Sequence, residues 1–302
     1  MDLNLVAAFV EVVEAQSFTA AGKALGLPKS SVSRRVTELE QELGVPLLHR
    51  TTRKLSLTEA GRAYFAQAER ALRELSSAAE LASGMDAEPR GIVRLTAPVD
   101  VGVMGLPQLL GEFSRLYPDI HVELSLSTRD LDLRAEGFDI GIRNGASHDA
   151  SLVVRRLGQA ATGLYASPRY LDERGRPENV AELEKHDAVL FRGNGGKLLW
   201  RLDGPNDATS TVEVTGRVSG DELLFIRQAI TNGLGIGILP IFVEAKCARA
   251  KKIEPLERVL PDWVVRGAEL TVVTPGGPKR PRRVTLLRDY LVENMRTACG
   301  GD

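Results

Sequence analysis

The stretch that decides the fold runs from Ser17 to Arg62 and reads SFTAAGKALGLPKSSVSRRVTELEQELGVPLLHRTTRKLSLTEAGR. Ala21 and Leu25 are four residues apart, and Gly26 and Pro28 then interrupt the helical spacing. The spacing resumes at intervals of four, three and four residues in a second apolar series: Val32, Val36, Leu39 and Leu43. Two short helices joined by a tight turn are therefore predicted, which is a helix-turn-helix.

The charge of this stretch differs from that of the whole chain. It contains eight Lys or Arg residues and four Glu residues, whereas the 302-residue chain has a formal net charge of -1. A local excess of cations is typical of a surface that displaces counterions from DNA phosphates. If the first helix crosses the DNA backbone, the start of the second helix can reach base edges in a major groove. The residues placed there are Lys29, Ser30, Ser33, Arg34 and Arg35.

The run from Phe18 through LEQELG to RTTRKLSLTEAG is similar to the N-terminal domain of LysR-type transcriptional regulators. The resemblance implies an α+β multidomain protein, in which a winged helix-turn-helix and a long dimerising linker helix precede a two-lobed α/β effector domain resembling type 2 periplasmic binding proteins. It also places four residues on the wing: Arg50, Thr51, Arg53 and Lys54. This chain departs from the family in having Pro28-Lys29-Ser30 where many members have Ser-Gln-Pro or Ser-Gln-Ser, so the family's base preference is not carried over to the lysine.

Composition limits the class of protein. A chain of 302 residues is long enough for two or three domains, and 43% hydrophobic with 26% charged residues fits a globular protein. No apolar run reaches the roughly eighteen residues that span a bilayer. The N-terminal MDLNLVAAFVEVVEAQ carries acids without a basic region, which predicts a helix rather than a secretion signal. We therefore expect a cytoplasmic protein with no membrane partner.

After the wing, Thr58 and Glu59 can cap a helix that ends near Gly84. Its apolar residues follow a heptad spacing of three and four: Phe65, Ala68, Leu72, Leu75, Ala79 and Ala82. Such a seam predicts a dimer, although the same stripe can instead pack on the chain's own domain. A dimer would read a loose inverted repeat in double-stranded DNA. The resemblance extends the choice to a homodimer or a homotetramer, with an RNA polymerase contact if the protein is an activator.

The remaining chain alternates strands and helices, beginning with IVRLTA at 92–97, a helix over 102–117 and HVELSLS at 121–127. This alternation predicts a parallel sheet with helices on its faces. We expect the last strand and the last helix to return to the first lobe. The predicted boundaries are 1–58 for the winged helix-turn-helix, 59–84 for the linker helix, 85–91 for a hinge, 92–162 with 268–298 for lobe I, and 163–267 for lobe II.

Ligands of open α/β sheets bind beyond the carboxyl ends of the strands. The residues at those positions, which also match the family's effector cleft, are Pro98, Val99, Asp100, Ser127, Thr128, Arg143, Asn144, Phe191, Arg192, Ser219, Gly220 and Asp221. Arg143, Arg192 and two nearby helix starts predict a carboxylate ligand, so the hypothesis is a small organic acid. Asp100 opposes this hypothesis unless it only caps a helix, and Arg143 can instead pair with an acid such as Asp139.

No enzyme motif is found. GRVSG at 216–220 has the wrong spacing for a nucleophile elbow, and GNGGK at 193–197 lacks the first Gly and the final Ser or Thr of a P-loop. The four His residues are scattered without ligand spacing, so no metal and no cofactor are predicted. Cys247 precedes three cations that can lower a thiol pKa, which leaves a redox signal as a narrower alternative.

The sequence therefore predicts a sequence-specific DNA-binding transcriptional regulator, not an enzyme, controlled by a small-molecule effector bound between two lobes. The alternative from another class is a metabolite-binding or catalytic α/β protein whose basic N-terminal helices mediate protein contacts. Measurements of DNA binding distinguish these two hypotheses. A regulator should bind its operator more tightly than random duplex, and its affinity for DNA should fall steeply as salt rises.

Overall fold

The computed structural model describes residues 2–49, 55–82, 88–145, 149–249, 254–265, 267, 269–277 and 280–298. The contacts within the chain divide it into two units, Met1–Ala87 and Glu88–Asp302. The first unit has one buried apolar core, and the second unit has separate cores for its two lobes.

The N-terminal unit is helical, and its first two helices begin where side chains cap them. Asp2 accepts the backbone N–H of Asn4, and Ser17 accepts that of Ala20. The third helix follows Pro28, which suits a helix start because it has no N–H to leave unpaired, and it ends at Gly44 with φ 70°. The helices are α1 (Leu3–Glu14), α2 (Phe18–Ala24), α3 (Lys29–Leu43) and α4 (Glu59–Ala82).

The core of this unit is formed mainly between α1 and α3. Phe9 and Val13 of α1 are buried together with Val32, Val36 and Leu39 of α3. These three α3 residues are buried members of the four-residue apolar series that the sequence predicted, and the fourth, Leu43, is partly buried against the same core. One face of α3 is thus fixed against the core. The opposite face is thereby left for solvent.

Lobe I is built on a five-stranded sheet. Its strands are β1 (Gly91–Ala97), β2 (Ile120–Leu126), β3 (Ile140–Asn144), β4 (Leu152–Gln159) and β12 (Glu269–Pro275), in the order β2-β1-β3-β12-β4. Its helices are α5 (Val99–Met104), α6 (Leu106–Leu116) and α10 (Arg282–Ala298). Phe113 of α6 and Leu287 of α10 are fully buried in this lobe's core.

Lobe II follows β4 in the chain and contains a seven-stranded sheet. Its strands are β5 (Thr162–Ala166), β6 (Asp187–Phe191), β7 (Lys197–Asp203), β8 (Thr209–Gly220), β9 (Ile236–Pro240), β10 (Glu257–Val259) and β11 (Val264–Val265). The order is β10-β5-β11-β7-β8-β6-β9, and β5 also pairs with β9, so the sheet closes on itself. The helices of this lobe are α7 (Pro168–Arg174), α8 (Leu223–Thr231) and α9 (Ile241–Arg249).

The sheet of lobe I corrects the prediction of a purely parallel arrangement. β1 pairs in parallel with β2 and β3, whereas β12 is antiparallel to both β3 and β4. The chain leaves lobe I after β4 and returns with β12 from lobe II. Because the connection from β4 to β12 passes through the whole of lobe II and is not a βαβ crossover, β12 is not required to be parallel to its neighbours.

Two helices also differ from the prediction. The single helix expected over 102–117 is two helices, α5 and α6, which meet at Gly105. Pro107 lies in the first turn of α6, where its missing N–H is tolerated, but it would break an uninterrupted helix.

Candidate DNA-reading surface and interlobe cleft

The start of α3 presents the predicted base-reading side chains to solvent. Lys29, Ser30, Ser33 and Arg34 are exposed, and Arg35 is half-buried. Arg34 is 75% exposed and forms an ion pair with Glu38 at 3.5 Å between Nε and Oε1. An exposed pair of this kind contributes little to stability, so the guanidinium can exchange Glu38 for a phosphate or a base.

The base of the wing is an antiparallel pairing of two short segments. Leu48 pairs with Leu57, and the backbone N–H of His49 donates to the carbonyl of Ser56 at 2.9 Å. The Glu40 carboxylate at the end of α3 accepts the backbone N–H groups of Leu47 and Leu48, which ties the wing to α3. The four predicted wing residues, Arg50, Thr51, Arg53 and Lys54, lie outside the described residues.

The predicted dimer seam on α4 is divided between two environments. Its first three residues, Phe65, Ala68 and Leu72, belong to the N-terminal core, where the Phe65 ring packs edge-on against Phe9 with 6.4 Å between centroids. Leu75 and Ala79 are exposed. Ala82 is the last residue of α4, and its side chain lies outside the described part of the chain. The alternative of packing on the chain's own domain therefore holds for the first half of the seam.

In the second unit, a cavity of about 120 Å³ lies between lobes I and II. Ten of the twelve residues predicted from the strand ends line it: Pro98, Val99, Asp100, Ser127, Thr128, Arg143, Asn144, Phe191, Arg192 and Asp221. They come together because β1, β2 and β3 end at the same edge of the lobe I sheet and face the ends of β6 and β8. Ser219 and Gly220 instead form the last two residues of β8 and are not among the lining residues.

Two hydrogen bonds join the lobes across this cavity. The Nη2 of Arg192 donates to the carbonyl of Thr128 at 2.9 Å, and the Thr128 hydroxyl donates to Asp221 Oδ2 at 3.3 Å. Arg192 also lies over the Phe191 ring, with 5.3 Å from its guanidinium carbon to the ring centroid. Thr128 therefore contacts two side chains of the opposite lobe.

Arg143 is largely buried and is engaged by protein oxygens. Its Nη2 donates to the carbonyl of Leu131, and its Nε lies 3.5 Å from Asp130 Oδ1. Its acidic partner is thus Asp130 rather than the Asp139 considered from the sequence. Burial lowers the pKa of Arg143, and the nearby Asp130 opposes that shift.

Asp100 is the most buried acid of the cavity, with 5% of its surface exposed. It lies in the first turn of α5, whose N-cap residue is Pro98 rather than Asp100. Burial raises the pKa of the Asp100 carboxyl, the backbone N–H of Val101 opposes this, and the negative charge of Glu222 raises it further. Asp100, which the sequence analysis expected to oppose an anionic ligand, therefore lies in the wall of the cavity.

A second and larger cavity of about 590 Å³ adjoins the first. The two share Asp100, Asn144, Phe191, Arg192 and Leu223 as lining residues. Most of the other lining side chains are apolar or aromatic: Val101, Val189, Leu198, Leu199, Trp200, Ile238, Pro240, Phe242, Val265 and Leu270. The sequence analysis missed this set because it considered only strand ends, whereas Trp200 lies within β7 and Phe242 lies on α9.

Other chemistry considered from the sequence finds less support. Cys247 is buried, and burial raises the pKa of its thiol, contrary to the lowering that the following cations suggested. Within the described ranges, no three His, Cys, Asp or Glu side chains are grouped as metal ligands are. None of the helices in those ranges combines the length and apolarity that crossing a bilayer requires.

An N-terminal helix-turn-helix followed by a two-lobed α/β domain with a cleft defines a class of bacterial DNA-binding regulators. Residues 3–62 match the family description "Bacterial regulatory helix-turn-helix protein, lysR family", and residues 86–296 match "LysR substrate binding domain". The chain belongs to the LysR family of transcriptional regulators, which confirms the resemblance seen in its sequence. It is thus a transcriptional regulator with a DNA-binding helix-turn-helix and a substrate-binding domain.

Individual relatives agree with this assignment over almost the full length. The chain is 35% identical to an HTH-type transcriptional regulator of Xanthomonas campestris pv. campestris, over 97% of this chain and 86% of that protein. It is 36% identical to an HTH-type transcriptional repressor of Pseudomonas aeruginosa, over 96% and 91%. Among solved structures, the full-length Vibrio cholerae virulence activator AphB is 29% identical, with a TM-score of 0.61 over 97% of this chain and 99% of that one.

Proposed function

We propose that this chain is a sequence-specific DNA-binding regulator whose affinity for its operator is controlled by a small molecule held between lobes I and II. The observation that carries the DNA-binding part is the division of α3 into two faces. Val32, Val36 and Leu39 are buried, while Ser33 and Arg34 are exposed. An exposed, cationic helix start on a fixed core is the geometry that enters a major groove.

The interlobe cavities support control by an effector. Both cavities take lining residues from the two lobes, and the bonds from Thr128 to Arg192 and Asp221 connect those lobes. A molecule that binds one arrangement of the lobes more tightly than another shifts their equilibrium by its difference in affinity. The organic acid predicted from the sequence is one molecule of this kind.

The assembly that binds DNA is proposed to be a homodimer or a homotetramer that reads an inverted repeat in the bacterial cytoplasm. Leu75 and Ala79 supply an exposed apolar seam on α4, which extends beyond the part packed on α1. The relatives include a protein named a repressor and another named an activator. A contact with RNA polymerase belongs to the proposal only for activation.

Fluorescence anisotropy on short duplexes tests the proposed function. An operator selected from a random duplex pool should bind at least about a thousandfold more tightly than random duplex at physiological salt. Its affinity should fall steeply as salt rises, because bound cations release counterions from phosphate. Equal affinity for operator and random duplex would contradict sequence-specific recognition.

A further inference from the structure

We propose that the effector carries a positively charged nitrogen attached to an apolar, aromatic-sized body, with the nitrogen beside Asp100 and the body in the larger cavity. This inference rests on the proposed effector function and names the chemical class of the ligand. It replaces the organic acid predicted from the sequence.

Two of the three arginines that line the smaller cavity are already engaged by the protein, and the third, Arg129, is exposed to solvent. Arg143 is held by the Leu131 carbonyl and Asp130, and Arg192 is held by the Thr128 carbonyl and the face of Phe191. A ligand carboxylate would have to displace these contacts to gain a bidentate guanidinium partner. The two arginines therefore offer less to an anion than their positions in the sequence suggest.

Among the acids of the same cavity, Asp100 is the most available to a ligand. Asp100, Asp130, Asp221 and Glu222 line it together with three arginines. Asp221 accepts the Thr128 hydroxyl, and Glu222 caps α8 by accepting the backbone N–H groups of Leu224 and Phe225. For Asp100, no ion pair with a cation occurs within the described residues, and the charged side chain that acts on it is Glu222, another acid.

A buried carboxylate beside a second acid is an unfavourable arrangement that a cation relieves. Moving a charge out of water costs free energy unless it is paired, and an opposite charge within about 4–6 Å favours the ionised form. Asp100 lines both cavities, so a cationic group placed beside it leaves the rest of the ligand directed toward the larger one. The site thus has a negative end and an apolar end.

The walls of the larger cavity suit the remainder of such a ligand. Phe191, Trp200 and Phe242 are among its lining residues, and its volume of about 590 Å³ is that of a site for a small organic molecule. Aromatic faces attract cations and pack against flat apolar rings. They give no comparable attraction to a carboxylate. The aromatic lining therefore favours a positively charged ligand, as Asp100 does.

Calorimetry on the full chain with three matched probes tests this inference: phenethylamine, 2-phenylethanol and 3-phenylpropionate. We expect phenethylamine to bind most tightly of the three. Asp100→Asn should weaken phenethylamine binding at least tenfold and change 2-phenylethanol binding less than twofold. Asp130→Asn removes an acid that is 89% exposed in the same cavity, and it should have a much smaller effect.

Separate controls address the fold and the apolar end of the site. Phe242→Ala should weaken all three probes together, because it removes part of the shared wall. Thermal unfolding of each variant shows whether a loss of binding reflects a loss of fold. Asn at position 100 keeps an oxygen that can accept from the start of α5, so this variant is expected to fold.

Tighter binding of 3-phenylpropionate, or phenethylamine binding that is unchanged by Asp100→Asn, would overturn the inference. The absence of binding by all three probes would overturn it as well. If 3-phenylpropionate binds and changes operator affinity, the proposed effector function stands and only the charge assignment fails. Operator affinity that never changes while a probe occupies the cleft counts against effector control itself.

Discussion

At the scale of single residues, Arg34 is the side chain whose position bears most directly on DNA binding. It lies on α3 one residue after Ser33 and is 75% exposed, and Glu38, four residues on, is its one ion-pair partner among the described residues. Because exposed ion pairs of this type are weak, Arg34 contributes little to the stability of the protein in the absence of DNA. We therefore expect Arg34 to contribute mainly to the stability of the complex with DNA.

Arg34→Ala should weaken binding to the selected operator by about 1–3 kcal/mol, which is roughly fivefold to 150-fold. The matched control is Arg169→Ala, since Arg169 is 80% exposed and pairs with Glu173 in the same four-residue spacing on lobe II. This control should leave operator affinity unchanged. Equal effects of the two substitutions in anisotropy titrations would show that only net charge matters.

Asp100 provides a pH-dependent prediction for the protein without ligand. Its pKa is raised in the folded state, chiefly by burial. The folded protein therefore binds more protons than the unfolded chain between the two pKa values, and stability falls as pH rises through that window. Asp100→Asn should remove this loss, so the variant should be more stable than the wild type at pH 7.

Urea unfolding at pH 7 and at pH 4 measures this effect. The difference in stability between Asp100→Asn and the wild type should be larger at pH 7, where the wild-type carboxyl is ionised in the unfolded chain. A variant that is less stable than the wild type at pH 7, with the same pH dependence, would mean that burial does not govern this carboxyl.

Residue positions in the cleft were more predictable than residue partners. Thr128, Arg143 and Arg192 were placed correctly because the carboxyl ends of strands meet at one edge of a sheet. The hydrogen bond between Arg192 and Thr128 depends on the pose of one lobe against the other, and the partners of Arg143 depend on the path of the loop after β2. Local sequence encodes neither. Arg143 pairs with Asp130, which lies in the loop after β2, and not with Asp139, the acid just before β3.

At the scale of elements, α4 illustrates what a heptad pattern can and cannot determine. The pattern predicted a long helix from Glu59, and α4 runs from Glu59 to Ala82. It did not distinguish a partner helix from the chain's own domain, because both require the same apolar spacing. In the first half of α4, Tyr64 and Phe65 both pack against the Phe9 ring of α1. This half of the helix therefore packs on the chain's own domain.

Leu75→Asp tests whether the second half of α4 mediates dimerisation. Leu75 is 48% exposed, and a buried aspartate in its place would face an apolar partner surface. We expect the mass in light scattering to fall from at least twice the 32.8 kDa of one chain toward that single mass. The same substitution one residue off the seam, Ser76→Asp, should leave the mass unchanged. A wild-type chain that is already monomeric would refute the dimer proposal.

At the scale of the whole molecule, the sequence predicted the order of its parts better than their pairing. The family resemblance implied two lobes, and β12 joins the sheet of lobe I after the chain has formed lobe II, as expected for the last strand. The closed sheet of lobe II was not predicted, because it depends on the pairing of β5 with β9, which are far apart in sequence. The larger cavity was not predicted either, because its lining residues come from distant parts of the chain. Such long-range packing has no local signature.

The central claim is that the start of α3 lies in a major groove of the operator, and site-specific photocrosslinking tests it most directly. A photoreactive amino acid is placed at position 33, and in a control at position 41, which is exposed near the other end of α3. The account predicts crosslinks from position 33 to bases in the major groove of each half-site, and few or none from position 41. Crosslinking from position 41 but not from position 33, with operator affinity intact, would contradict it.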